Sequence, residues 1–105
     1  MIIQINTDHT ISENERMINY FKTIIADSLK FYSENITRIE DHFSDENGNK
    51  GGSNDKRCLL EARIEGRQPT AVTAQANTSE EALNSAIKKM TASLKKTIGQ
   101  MKNHH

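Results

Sequence analysis

The residues from Thr78 to Met101 constrain this chain more than any others, because they read as one long helix with two unlike faces. Leu83, Ile87, Met90, Leu94, Ile98 and Met101 recur at steps of three and four, which sets them along one side of an α-helix. Lys88, Lys89, Lys95, Lys96 and Lys102 fall outside that stripe. At about 100° per residue, Lys88, Lys95 and Lys102 form one row and Lys89 and Lys96 a second. A lane of small residues, Ser85, Ala92 and Gly99, runs between them. From Ala82 onward there are five lysines and no carboxylate. Thr78 is a good N-cap with Glu81 at the capping-box spacing, and Glu80 and Glu81 sit where the helix dipole favours negative charge. The pattern predicts a helix of about 23 residues that docks on a core by one face and offers a positive field from the other.

A helix of that kind needs a sheet or other helices to cover its stripe, and the rest of the chain supplies both. Ile2 to Asn6 alternates as a short strand with Ile3 and Ile5 on one face, and Asp8, His9 and Thr10 read as a turn. Ser12, with Glu15 three residues on, predicts the start of a first helix. Its apolar face is Met17, Ile18, Phe21, Ile24, Ile25, Leu29 and Tyr32, and Ser33-Glu34-Asn35 ends it. Ile36 to Phe43 reads as a second strand, with Ile39 and Phe43 on one face and Asp41 between them in conflict with it. Residues 44–56 hold turn-formers and charge with no apolar side chain, and read as a long mobile hairpin loop. Arg57 to Glu65 predicts a third strand with Cys58, Leu60, Ala62 and Ile64 inward. Gly66 to Pro69 is a turn, and Thr70 to Ala76 a fourth strand whose Val72, Ala74 and Ala76 leave room for a close-packed helix. The expected fold is α+β: a two-layer β-α-β-β-β-α domain over residues 1–103, a four-stranded sheet with two helices on one face. His104 and His105 read as the remnant of a purification tag.

The net charge of zero hides an asymmetry. Residues 1–56 carry 6 basic and 10 acidic side chains, net −4, and residues 57–105 carry 8 and 4, net +4. The positive field is therefore local. The single cysteine, Cys58, has no partner for an internal disulfide, and there is no apolar run of membrane length or secretory leader, which points to a cytoplasmic protein. Asn35-Ile36-Thr37 and Asn77-Thr78-Ser79 match the glycosylation pattern only by chance on that reading.

At this point the chain resembles the ribosome-hibernation family, also called the ribosome-associated inhibitor, ribosomal subunit interface or sigma-54 modulation proteins. The resemblance lies in element order over residues 2–102, and in Cys58-Leu59-Leu60-Glu61-Ala62-Arg63, Thr70-Ala71-Val72-Thr73-Ala74 and Asn77-Thr78-Ser79-Glu80-Glu81-Ala82-Leu83. It continues to the pairs Lys88-Lys89 and Lys95-Lys96, while residues 39–52 and 61–69 look like a short-form subgroup. The resemblance implies a fold like that of a double-stranded-RNA-binding domain with an added first strand. It implies a non-enzymatic translation-inhibiting factor of hibernation and stress, without a cofactor. Such a factor binds ribosomal RNA of the small subunit through basic helix faces and blocks the tRNA and mRNA sites. Carried over by position, the RNA-binding residues are Lys88, Lys89, Lys95, Lys96 and Lys102, with Lys22 and Lys30 of the first helix as weaker contributors. The first helix departs from the pattern: residues 12–34 hold 3 basic and 4 acidic side chains.

Plainer readings stand beside these. Lysines on a helix often only keep a protein soluble, but such faces usually mix signs, and this one holds no acid after Glu81. Tyr32 continues the apolar stripe and belongs to the core, while Tyr20 and Phe31 lie off its centre and could stack on bases or meet a protein partner. Arg57 and Arg63 share a face with Glu61 and Glu65, which predicts cross-strand ion pairs. Cys58 sits inward as a small hydrophobe, and His9 and His42 have no ligand spacing, so neither metal nor thiol catalysis is expected. Asp45-x-Asn47-x-Asn49 opens like a calcium loop but has Lys50 where glycine is required and Lys56 in place of the closing carboxylate. The main alternative function is a protein-interaction module of the same fold, free of the ribosome, with a sheet edge or outer face open to a homodimer or other partner. Neither a membrane nor a small-molecule substrate is implied.

Overall fold

A computed structural model describes residues 1–8, 14–46 and 55–103. The elements are β1 (Ile2–Thr7), α1 (Glu15–Leu29) followed by a 3₁₀ turn (Lys30–Tyr32), β2 (Ile36–Asp45), β3 (Lys56–Ile64), β4 (Thr70–Ala76) and α2 (Ser79–Asn103). The strands form one sheet in the order β1-β2-β3-β4. β1 runs parallel to β2, and the other pairs are antiparallel. The architecture is the α+β arrangement expected. His9, Thr10, Ser12, Asn47, Gly48, Asn49, Lys50, Gly51, Gly52, His104 and His105 lie outside the described residues.

Both helices cover one sheet face, and a single core lies between the layers. Leu83, Met90 and Leu94 of α2 are fully buried, as are Ile25 and Leu29 of α1 and Ile39 and Leu60 of the sheet. Phe21 of α1 meets Phe43 of β2 with ring centroids 5.2 Å apart. Tyr32 packs against this core, as its place on the stripe predicts. Ala82 and Ala86 of α2 have no exposed surface, and Ala74 and Ala76 of β4 have little. Small side chains on both layers let α2 lie close over β4.

Three boundaries differ from the sequence reading, each for a local reason. The first helix is capped by Asn14, whose side chain accepts the Met17 N–H at 2.7 Å, so it begins at Glu15. Asn14 competes with Ser12 as a cap, and the carboxamide closes the first turn. The hairpin reaches further than its polar sequence suggests: Asp45 pairs with Lys56 across the ladder, their side chains meet at 2.6 Å, and Glu46 N donates to Asp55 O at 2.8 Å. Opposite charges facing across the strands hold a ladder where apolar pairs are missing. Glu65 lies beyond β3, in the turn. There Arg67 N donates to Ile64 O at 3.0 Å and Gly66 takes φ 78°, a left-handed conformation that a side chain resists.

A register shift between Ile36 and Arg38 explains how Ile36 and Ile39 both face the core. Thr37 is the extra residue of this bulge, its hydroxyl donating to Arg63 O at 3.3 Å. The same parity settles Asp41. It points inward between Ile39 and Phe43 and is fully buried.

Candidate nucleic-acid interface

The interface begins with the cap that starts α2. Glu81 N donates to the Thr78 hydroxyl at 3.1 Å, and that hydroxyl donates to the Glu81 carboxylate at 3.2 Å. From this fixed start α2 runs 25 residues, ~37 Å. Its buried stripe fixes the rotation of the helix, so the lysines must face outward. Lys88, Lys89, Lys95 and Lys96 are all exposed. Lys102 belongs to α2 by its backbone, and its side chain is not among those described.

Two contacts show which way each lysine row looks. On one flank of α2, Glu80 accepts from the Tyr20 hydroxyl of α1 at 3.1 Å. On the opposite flank, Lys89 Nζ donates to Thr73 O of β4 at 2.7 Å. By helical position Lys88 and Lys95 share the Glu80 flank. Lys96 shares the Lys89 flank. One row therefore borders the groove toward α1, and the other overhangs the edge strand β4. The predicted lysines of α2 thus keep the two rows read from the sequence, one toward α1 and one toward β4. Lys89 is tied to a backbone carbonyl, a partner the sequence did not signal.

The first-helix lysines do not join either row. Lys22 and Lys30 fall on the flank of α1 opposite to Tyr20, and Tyr20 marks the side that meets α2. Lys22 is half-buried and Lys30 exposed. The mouth of the groove, near both helix starts, is a shallow cleft lined by Asn14, Arg16, Met17, Tyr20, Phe21 and Glu80. The Glu80 carboxylate beside Tyr20 raises the phenol above its ordinary range.

The outer sheet face is polar and largely self-paired. Arg38 bonds Glu40 at 2.9 Å and holds that carboxyl below its usual range, and it also donates to Gln4 of β1. The expected cross-strand pairs of Arg57 and Arg63 take another form. Arg63 meets Glu61 at 3.9 Å along its own strand, and Arg57 meets Glu46 at 3.5 Å across the hairpin. Residues two apart on a strand share a face, so the along-strand pair needs no partner strand.

One buried polar pair lies inside. Cys58 is fully buried, and its thiol donates to Asp41 Oδ1 at 2.9 Å. Burial pushes the Asp41 carboxyl up to about 7 against the opposing thiol hydrogen bond. Burial, then the Asp41 charge, raises the Cys58 thiol as well. Among the described residues, no three metal-ligating side chains gather. No helix among them is long and apolar enough to cross a membrane.

The fold is shared with two solved domains. The Thermus thermophilus Protein Y N-terminal domain matches with a TM-score of 0.71 at 13% identity, covering 92% of this chain and 99% of that one. A ribosomal subunit interface protein from Coxiella burnetii matches with a TM-score of 0.70 at 13% identity, covering 94% and 99%. No family model matches the chain. No curated protein matches its sequence.

Proposed function

We propose that this chain is a ribosome-associated factor of the hibernation type. It binds RNA of the small ribosomal subunit through α2 and sterically blocks the places that tRNA and mRNA occupy. The observation that carries the reading is an exposed lysine face, free of carboxylates after Glu81, on a domain with this fold. One of its structural neighbours is described as a ribosomal subunit interface protein, and that location is what is carried over to this chain. The action is non-catalytic, needs no cofactor and takes place in the cytoplasm. Lysines act on phosphates as point charges and release counterions, so affinity depends on salt and little on sequence.

The test is co-sedimentation of the purified chain with small ribosomal subunits across a salt series. With three or four lysine–phosphate contacts, a fourfold rise in salt lowers affinity roughly 20- to 150-fold. The variant with Lys88, Lys89, Lys95 and Lys96 all changed to Gln should bind weakly and lose most of that salt dependence. A wild-type protein that stays in the supernatant at low salt rules the reading out. The chain would then be a protein-interaction module of the same fold.

A further inference from the structure

Phe31 is a residue that neither the core nor the lysine reading uses. It is 82% exposed, the most exposed large apolar side chain among the described residues. It stands in the 3₁₀ turn that continues α1, and its described ring contact is with Tyr32, edge-on at 5.2 Å between centroids. Tyr32 in turn packs on the core. The Phe31 ring is thus braced by Tyr32 and otherwise open to solvent.

Its position gives the ring a partner surface. Phe31 follows Tyr20 by eleven residues, about three turns with the last two residues in the 3₁₀ turn after Leu29, which keeps it on the Tyr20 side of the α1 axis. Both helices run the same way over the sheet, and the Tyr20–Glu80 contact sets their relative level. Eleven residues along α2 from Glu80 is Thr91, with Lys88 about one turn before it and Lys95 about one turn after. Phe31 therefore stands on one bank of the α1–α2 groove, and Lys88 and Lys95 stand on the other. Asp27 is the carboxylate on the Phe31 bank, and α2 bears none beyond Glu81 to oppose the two lysines.

We infer that this groove takes an unpaired RNA nucleotide, with its base stacked on Phe31 and its flanking phosphates on Lys88 and Lys95. An aromatic face beside a cationic row suits single strands, since every base has a face to stack and the backbone follows the lysines. A duplex offers no free base face, so the groove selects a loop, bulge or end. The inference rests on the ribosomal-RNA reading above and deepens it, giving α1 a contact that its mixed charge could not.

The chain has no tryptophan, so Phe31→Trp places a single reporter in the groove. This variant is titrated with small ribosomal subunits and with a single-stranded oligoadenylate, and its emission should be quenched by both. Phe31→Ala should weaken binding to each about 5- to 150-fold at fixed salt. The slope against salt should stay unchanged, because no phosphate contact is lost. Unaltered circular dichroism and thermal melting would show that both variants fold.

If wild type and Phe31→Ala bind subunits equally, stacking is overturned while the ribosome reading stands. A blue shift without quenching on subunits puts the ring against protein and overturns stacking too. If wild type fails to bind subunits, the ribosome reading falls and the oligoadenylate decides: quenching keeps the groove as a single-strand site, and its absence removes it.

Discussion

The Cys58 thiol donates a hydrogen bond to Asp41 at 2.9 Å in the floor of the core, between a strand that pairs with β1 and one that pairs with β4. Asp41 stands opposite Leu60 and Cys58 opposite Phe43, so the two are diagonal neighbours on the inward face. The second carboxylate oxygen, Oδ2, finds no hydrogen-bond partner among the described atoms. An ionised Asp41 is costly there, and its carboxyl is pushed up to about 7 by burial.

Stability should fall as pH rises through the window this creates. Below about pH 4, Asp41 is protonated in both folded and unfolded chains and its contribution is fully present. Between about pH 4 and pH 7 the unfolded chain releases the proton and the folded one keeps it. That costs ~1.4 kcal/mol per pH unit. Above about pH 7 both are ionised and the loss levels off. Asp41→Asn cannot titrate, so urea denaturation at pH 4.5 and 7.5 should show the variant gaining on wild type by a few kcal/mol at the higher pH. Parallel pH profiles for the two proteins would show that Asp41 ionises normally in the fold.

The Cys58 thiol should be inert in the native protein. It is fully buried, and burial and the Asp41 charge both hold it in the unreactive thiol form. Labelling with an aromatic disulfide reagent should proceed only at the rate of global unfolding and become fast in urea. Rapid labelling of the folded chain would contradict this burial.

The two caps should each be measurable. Asn14→Ala and Thr78→Ala each remove an oxygen that accepts a helix N–H, at 2.7 and 3.1 Å. Each should lower unfolding free energy by about 1 kcal/mol, read from urea midpoints. An unchanged midpoint for Asn14→Ala would place the start of α1 elsewhere.

Lys88 and Lys89 are neighbours in sequence and should differ in effect. Lys89 is held by Thr73 O at 2.7 Å, while Lys88 borders the groove toward α1. Lys88→Gln should reduce the salt slope of subunit binding by about one, as loss of a phosphate contact does. Lys89→Gln should reduce it less. Equal effects would mean that the Lys89 tether opens on binding.

The periodicities carried most of this fold. Alternation in Cys58, Leu60, Ala62 and Ile64 marked an inward strand face, and the three-and-four spacing from Leu83 to Met101 marked the buried side of α2. Both are local consequences of backbone geometry, so a single chain displays them without knowledge of its partners. Thr78 was equally legible, because a cap and its acceptor lie within one turn. Asn14 was not, since two good capping residues stood within three positions and only the folded turn decides between them.

What the tertiary structure alone decided were the relations between distant residues. Asp41 looked like an error on an apolar face until the β2–β3 register brought the Cys58 thiol to it. The two lysine rows were legible, but only the contacts of Tyr20 with Glu80 and of Lys89 with Thr73 showed that one flank of α2 looks toward α1 and the other toward a sheet edge. Sequence alone determined which residues share a face of each element. Which face meets which depends on the docking of whole elements, and only the packed core sets that.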